Sequence, residues 1–210
     1  LHSHTIGNNP EEKIISLCMK DSESALIQDA AHISVGIHPW FLSEGDLDKQ
    51  IRWVKDMAES DRRVVTIGEC GTDKVCNTPM NLQTAAFTSM IGLSEKLELP
   101  LIIHSVRTYN EIISLKKQLK PEQKWIIHGF RGKKETAIQL INHGIYISIG
   151  EKFNTEAVNH IPSDMLLIES DESGCNISQI AENIASCLGL ASEELVKIVA
   201  ENTNSLFFSR

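Results

Sequence analysis

The fold is decided by residues 64–105, which read VVTIGECGTDKVCNTPMNLQTAAFTSMIGLSEKLELPLIIHS. Apolar runs at residues 64–67 and 101–103 each predict a strand that is buried on both faces. Between them, Pro79 opens a segment whose apolar residues recur at helical spacing, and Pro100 closes it. A buried strand, a helix and a second buried strand together form the repeating unit of a parallel sheet.

This unit recurs along the whole chain. Further strands are predicted near residues 1–5, 14–18, 33–37, 125–127, 145–149 and 165–168. Further helices are predicted at residues 46–60, 108–119, 133–143, 176–188 and 192–206. Eight apolar runs alternating with helices predict an α/β fold, a TIM-type (β/α)8 barrel, with a doubly wound open sheet as the alternative. Because the connections at residues 6–13 and 19–31 are short, we expect the barrel to have shortened early crossovers.

Length and composition narrow the class of protein. With 210 residues, 41% of them hydrophobic and 23% charged, the chain is expected to form a single domain over residues 1–210. No apolar run approaches the roughly 20 residues that span a bilayer, so no membrane association is expected. Five cysteines without a CxxC pair indicate a reduced, cytoplasmic setting.

The net charge of −8 argues against an extended nucleic-acid surface, which normally shows a basic stripe. The basic residues form nothing longer than pairs such as Arg62/Arg63. A nucleic-acid substrate would therefore be held locally, by metal ions and one or two arginines. Strand ends or short single strands are the expected form of such a substrate, and no obligate protein partner is evident.

Histidines and carboxylates gather in or just past the ends of the predicted strands. In a parallel barrel these ends converge on one face, where active sites are built. The residues in such positions are His2, His4, His38, Glu69, His104, His128 and Asp171.

Six of these residues predict a metal centre. His2 and His4 are two positions apart, so on a strand both imidazoles point to the same face, where they can bind a divalent ion. Taken singly, each of the six has an ordinary structural alternative, such as an incidental terminal histidine or a salt-bridge partner. Their occurrence together predicts the metal ligands His2, His4, Glu69, His104, His128 and Asp171.

The ligand set predicts hydrolysis with two divalent ions, which can be zinc, magnesium or manganese. Two ions roughly 3.5–4 Å apart activate a water and stabilise both the attacking and the leaving oxygen. Glu69 and Asp171 are the predicted catalytic residues: Glu69 bridges the ions, and Asp171 orients or deprotonates the water. Arg107, Arg131 and His38 are the predicted substrate-binding residues. The alternatives are solvated loop positions for the arginines and a place behind a metal ligand for His38.

The order of the motifs resembles the TatD family of metal-dependent deoxyribonucleases, among the amidohydrolase-like barrels. The matching stretches are His-Ser-His (2–4), Gly-Ile-His-Pro (36–39), Ile-Gly-Glu-Cys-Gly-Thr-Asp (67–73), Pro-Leu-Ile-Ile-His-Ser (100–105), Ile-Ile-His-Gly-Phe-Arg-Gly (126–132), Gly-Ile-Tyr-Ile-Ser-Ile-Gly (144–150), Leu-Leu-Ile-Glu-Ser-Asp (166–171) and Glu-Asn-Thr-Asn-Ser-Leu-Phe (201–207). The resemblance implies the same six ligands, two divalent ions and cleavage of phosphodiester bonds, typically in DNA. The resemblance therefore implies DNA or a small phosphodiester as the substrate.

Some positions depart from the family pattern. The usual Gly-Leu-Asp after the glutamate reads Gly-Thr-Asp, and the usual Thr-Asp-x-Pro near the last ligand reads Ser-Asp-Glu-Ser. Three other functions stay open from the sequence. They are a phosphoesterase of the polymerase-and-histidinol-phosphatase type, which the opening Leu-His-Ser-His-Thr resembles, an amidohydrolase-type barrel that acts on an ester or amide, and a degenerate, non-catalytic barrel.

Overall fold

The structure is a computed structural model that describes residues 2–3, 13–171 and 173–209. Its eight strands form one sheet in chain order, and every neighbouring pair is parallel. The strands are β1 His2–Ser3, β2 Ile14–Leu17, β3 His32–Val35, β4 Val64–Asp73, β5 Leu101–Val106, β6 Trp125–Ile127, β7 Ile145–Ile149 and β8 Leu166–Ile168.

Helices connect the strands. They are α1 Leu26–Asp29, α2 Leu47–Ser60, α3 Met80–Leu97, α4 Tyr109–Leu119, α5 Lys134–Asn142, α6 Thr155–Val158, α7 Ile177–Leu188 and α8 Ser192–Phe207. The predicted TIM-type α/β barrel is confirmed. Between β2 and β3 the chain forms only a 3-10 turn at Met19–Asp21 and the one-turn α1, so this crossover is short, as expected. The other predicted short crossover lies almost entirely outside the described residues.

The hydrophobic core has two parts. The larger part lies between the sheet and the surrounding helices, where for example Phe87 of α3 packs against Trp125 of β6 with ring centroids 5.7 Å apart. The smaller part lies inside the barrel and takes residues from β2, β4, β5, β6 and β8, together with a phenylalanine from α8. We call it the apolar layer; its residues are Ile14, Val65, Ile102, Ile126, Leu167 and Phe207.

Further along the same strands, towards their carboxyl ends, the buried residues become polar. On β5 and β6 the change takes two positions, from Ile102 to His104 and from Ile126 to His128, because side chains two apart point to the same side of a strand. We call this second set the polar layer. Its residues, all buried, are Ser16, Glu69, His104, His128, Ser148 and Glu169.

One strand departs from this regular alternation. On β4, Ile67 pairs with Leu101 of β5 and Cys70 pairs with Ile103, so three steps along β4 match two along β5. The register shift is a bulge, which inserts one residue and changes the direction of the side chains beyond it. Glu69 lies within this bulge and joins the polar layer, while Ile67 and Cys70 both pack in the outer core.

Within the described ranges, no helix is both long enough and apolar enough to span a bilayer. The cytoplasmic location stays a prediction.

Candidate metal centre

Glu69 lies at the centre of the polar layer, and the residue is only 2% exposed. The glycines on either side let β4 approach its neighbours closely. Gly68 and Gly71 have φ of +143° and +140°, which side-chain-bearing residues rarely adopt. A Cβ atom on Gly68 would lie 2.5 Å from the Ile102 carbonyl oxygen, and one on Gly71 would collide with the carbonyl of His104. The glycines of the Ile-Gly-Glu-Cys-Gly motif thus bring Glu69 against β5.

Three imidazoles surround one carboxylate oxygen of this glutamate. From Glu69 Oε1, His128 Nε2 is 2.5 Å away, His104 Nδ1 is 2.8 Å away and His38 Nε2 is 3.2 Å away. His104 Nδ1 and His128 Nε2 are themselves 3.4 Å apart. The imidazoles of three separate parts of the chain therefore meet at one point.

The outer nitrogen of His104 faces a second carboxylate. His104 Nε2 is 3.1 Å from Asp73 Oδ2, and the same oxygen accepts a 2.7 Å hydrogen bond from Trp40 Nε1. Since an ionised carboxylate can only accept, Asp73 favours a proton on Nε2, and in the neutral ring with that proton Nδ1 would have a lone pair available to an ion held between it and Glu69. A metal-binding histidine is typically oriented in this way, by a carboxylate behind it.

His128 has a similar arrangement with a different carboxylate. Its Nδ1 is 3.5 Å from Glu169 Oε1, while Glu169 also accepts hydrogen bonds from Ser148 Oγ at 2.7 Å and from the Gly129 amide. Burial lowers the pKa of His128, but Glu69 and Glu169 outweigh it and raise the pKa well above its usual value. Two buried carboxylates thus stabilise positive charge at this imidazole.

His38 differs from the other two histidines. Its Nδ1 accepts a 3.2 Å hydrogen bond from the backbone N–H of Trp40, so in the neutral ring Nε2 carries the proton. Burial lowers the pKa of His38, although Glu69 opposes this. Its neutral form therefore presents an N–H group to Glu69, where His104 presents a lone pair.

The arrangement fits a divalent ion. Ligand atoms of His38, Glu69 and His104 all lie within 4.8 Å of one another. The directions of the hydrogen bonds, however, distinguish His38 from the other histidines. We infer from them that Glu69, His104 and His128 are the ligands and that His38 is a hydrogen-bond donor beside them. The separations of 2.5 to 3.4 Å among their three facing atoms suit an ion with bonds of about 2.0–2.2 Å.

The buried negative charge of the cluster also favours a cation. Glu69, Asp73 and Glu169 are each at most 2% exposed. Burial acts to raise the pKa of Asp73, but hydrogen bonds from Trp40, the Val75 amide and His104 hold it below its usual range. Buried carboxylates are costly unless a positive charge pairs with them, and a metal ion supplies that charge.

The other predicted site residues lie in different places. His2 is in β1, of which only the backbone is described, and His4 lies outside the described residues. Asp171 follows β8 and lines a polar cavity of about 310 Å³ together with Arg131 and Lys152. Arg107 is exposed on the loop after β5.

Two of these residues have a left-handed backbone, with φ of +58° at Arg107 and +49° at Asp171. Within residues 2–3, 13–171 and 173–209, two other non-glycine residues have positive φ, Glu98 and Lys120, and they are the C-caps of α3 and α4, where this conformation is common. Arg107 and Asp171 instead follow strands. Backbone strain of this kind, about 1–3 kcal/mol for each residue, often occurs at functional sites.

A profile of the family described as "TatD related DNase" matches residues 15–208. The chain belongs to the TatD family. This confirms the resemblance inferred from the motifs and gives a metal-dependent hydrolase family for the cluster around Glu69.

Proteins similar to this chain occur in several organisms. The chain is 28% identical to "Uncharacterized metal-dependent hydrolase YabD" of Bacillus subtilis, over 85% of this chain and 78% of YabD. It is 27% identical to "3'-5' ssDNA/RNA exonuclease TatD" of Erwinia tasmaniensis, over 83% of this chain and 77% of that protein. Among solved structures, the TatD homologue YJJV of Escherichia coli K12 superposes with a TM-score of 0.83 at 20% identity, covering 94% of this chain and 86% of YJJV.

Sequence reasoning missed four groups around the TatD-family centre. Asp73 and Glu169 orient His104 and His128, Ser148 donates to Glu169, and Trp40 donates to Asp73. Asp73 ends the Ile-Gly-Glu-Cys-Gly-Thr-Asp motif and Glu169 lies in Leu-Leu-Ile-Glu-Ser-Asp, each close to a predicted ligand. Their nearness to a predicted ligand was the only sign of a role, and the pattern of apolar residues in the strands does not indicate one.

Proposed function

We propose that this protein is a metal-dependent phosphodiesterase that cleaves DNA with two divalent ions. The observation that carries the proposal is the convergence of His38, His104 and His128 on one oxygen of Glu69. The Erwinia relative named as an exonuclease of single-stranded DNA and RNA supports the choice of substrate.

The proposed ligands fall into two groups. Glu69, His104 and His128 would hold one ion, while Glu69, Asp171, His2 and His4 would hold the other. A carboxylate is the side chain able to bridge both. When bound, such ions polarise the phosphate and lower the pKa of the attacking water towards about 7.

The remaining groups would bind, orient and move protons. Asp171 orients the water and accepts its proton. His38 donates its Nε2 hydrogen to an oxygen of the phosphate, replacing its hydrogen bond to Glu69. Arg107 and Arg131 pair with the other phosphate oxygens, for which a guanidinium offers a bidentate arrangement.

The test combines metal content with activity. Purified protein is loaded separately with zinc, magnesium and manganese and incubated with single-stranded DNA, duplex DNA and a generic phosphodiester. We expect cleavage that disappears on chelation and in Asp171→Ala. Cleavage that is unchanged in Asp171→Ala would refute the assigned roles. A protein that takes up no divalent metal would refute the hydrolase itself, and activity on esters or amides alone would favour an amidohydrolase.

A further inference from the structure

Exposed apolar side chains cluster beside the metal centre. Among the described residues, six large apolar side chains are exposed, and three of them lie on the two segments next to the cluster. Trp40 (55% exposed) and Phe41 (41%) follow His38, and Val75 (61%) follows Asp73. Such a cluster at the mouth of a polar site requires an explanation, because single exposed apolar residues are normal but a contiguous group marks a binding surface.

The indole of Trp40 is held in a fixed orientation. Its Nε1–H donates to Asp73 Oδ2, and its ring meets the His38 and His104 rings edge-on, at 5.1 and 5.9 Å between centroids and 83° and 77° between planes. More than half of the side chain nevertheless remains open to solvent. A planar ring fixed at its polar edge and open elsewhere can stack on another planar group with little loss of conformational entropy.

A cavity opens beside this ring. It has a volume of about 360 Å³ and is lined by Trp40, Asp73, Val75, Cys76, Asn77 and Thr78. Thr78 Oγ1 donates to the Pro39 carbonyl at 2.7 Å and so joins the loop after β4 to the turn that carries Trp40. The volume falls in the range of about 300–1,000 Å³ that is typical of small-molecule sites. The wall combines apolar faces with an exposed amide, which suits a flat heterocycle with polar edges.

On the other side of the turn there is a positive charge. Lys20 lies with its ammonium 3.6 Å from the centroid of the Phe41 ring, and both residues line a small pocket that reaches Glu69. Aromatic faces together with a cation next to the reactive centre are the elements that bind single-stranded nucleic acid. They also explain how a protein of net charge −8 could hold such a strand locally.

We propose that Trp40 is the stacking platform for the nucleobase next to the scissile phosphate, with the base entering the cavity between Trp40 and Val75. The inference rests on the proposed function, since it names the part of the substrate beside the phosphate. Trp40 binds the base and takes no part in proton transfer. Asn77 offers both a donor and an acceptor to the edge of the base.

The test measures binding in the absence of turnover. Metal-loaded protein is titrated in a calorimeter with thymidine 5′-monophosphate and with 2-deoxyribose 5-phosphate, which lacks the base. Base stacking on an aromatic side chain predicts that the wild type binds the nucleotide about 5- to 150-fold more tightly. Trp40→Ala is expected to reduce this ratio to about 1, whereas Trp40→Phe retains most of it.

A matched control comes from the other end of the barrel. Phe208 is also 41% exposed and packs on His32, the first residue of β3, so Phe208→Ala removes an exposed aromatic ring far from the cavity. It should leave the ratio unchanged. Equal weakening of both ligands in Trp40→Ala would overturn the inference, because it would show that Trp40 acts only by supporting Asp73 and His104.

The outcome separates this inference from the proposed function. A wild type that prefers the nucleotide but cleaves no phosphodiester would refute the proposed function and support the stacking site. A wild type that cleaves DNA but binds both ligands equally would support the proposed function and refute the stacking site.

Discussion

The apolar layer and the polar layer inside the barrel come largely from the same strands, yet they have different roles. On β6, Ile126 is fully buried among aliphatic neighbours, while His128, two positions later, lies between two carboxylates. Burial of the first stabilises the fold by about 1.5–3 kcal/mol. Burial of the second brings charges out of water, which is unfavourable unless they are compensated. The contrast teaches that the apolar layer mainly stabilises the fold, whereas the adjacent polar layer is suited to bind a metal ion. Mutations in the two layers should therefore change different properties.

The largest effect is expected from Glu69→Gln. The amide has nearly the same shape, but it removes the charge around which His38, His104 and His128 converge. We expect metal affinity and phosphodiesterase activity to fall by more than about 100-fold, since even groups behind a ligand contribute 10–100-fold. Metal content by elemental analysis and initial rates would measure this. A variant that retains full metal content would contradict the central role of the polar layer.

The next effect concerns the apolar layer. Ile126→Ala removes buried volume without touching a polar group, so we expect the free energy of unfolding to fall by about 2–5 kcal/mol. Denaturant titration of the metal-free protein measures the loss. The folded variant should bind metal as the wild type does. If its metal affinity fell as far as that of Glu69→Gln, the two layers would not be separable.

A smaller effect is expected from Asp73→Asn. The amide has one uncharged accepting oxygen, so it cannot accept from Trp40 and His104 on one side and from the Val75 N–H on the other, and the proton on His104 Nε2 is held less firmly. We expect metal affinity to weaken about 10–100-fold, with little change in the free energy of unfolding. Asp61→Asn is the matched control, because Asp61 pairs with Arg63 just before β4. Equal losses in both variants would argue against an orienting role for Asp73.

The smallest effect on metal binding is expected from His38→Gln. Because Nδ1 of His38 accepts from the Trp40 amide, its Nε2 is a donor in the neutral ring, and we infer that it does not ligate the ion. Metal affinity should change by less than about 10-fold, below the range for a group that orients a ligand. The turnover rate should fall more than the affinity. Loss of metal comparable with that in His104→Gln would show that His38 is a ligand after all.

Much of the fold could be predicted because the apolar layer and the outer core follow a simple period. Each predicted strand has a counterpart among the described strands. Six of them coincide within a few residues at each end, while β4 and β5 extend further than their apolar runs. The first additional residues, Gly68 and Glu69 on β4 and His104 on β5, are not apolar and therefore ended the runs. Helix α6, with only four residues, was too short to show a helical period.

The site was predictable in part for the same reason. Glu69, His104 and His128 were found because they follow apolar runs, and the structure brings their side chains together. Asp73 and Trp40 could not be assigned, since they contact His104 across two connections distant in sequence. The roles of His2, His4 and Asp171 as ligands stay predictions.

The bulge in β4 has a consequence for how such a site can disappear during evolution. Loss of the Glu69 codon would leave two steps on β4 opposite two on β5, restoring regular pairing and removing the carboxylate that the histidines surround. The outer contacts of Ile67 and the inner contact of Val65 precede the deletion and would be kept. The same deletion within β6 would reverse the direction of every later side chain in the strand. We therefore expect inactive descendants of this barrel to arise through β4, where genetic loss of the reaction does not require loss of the fold.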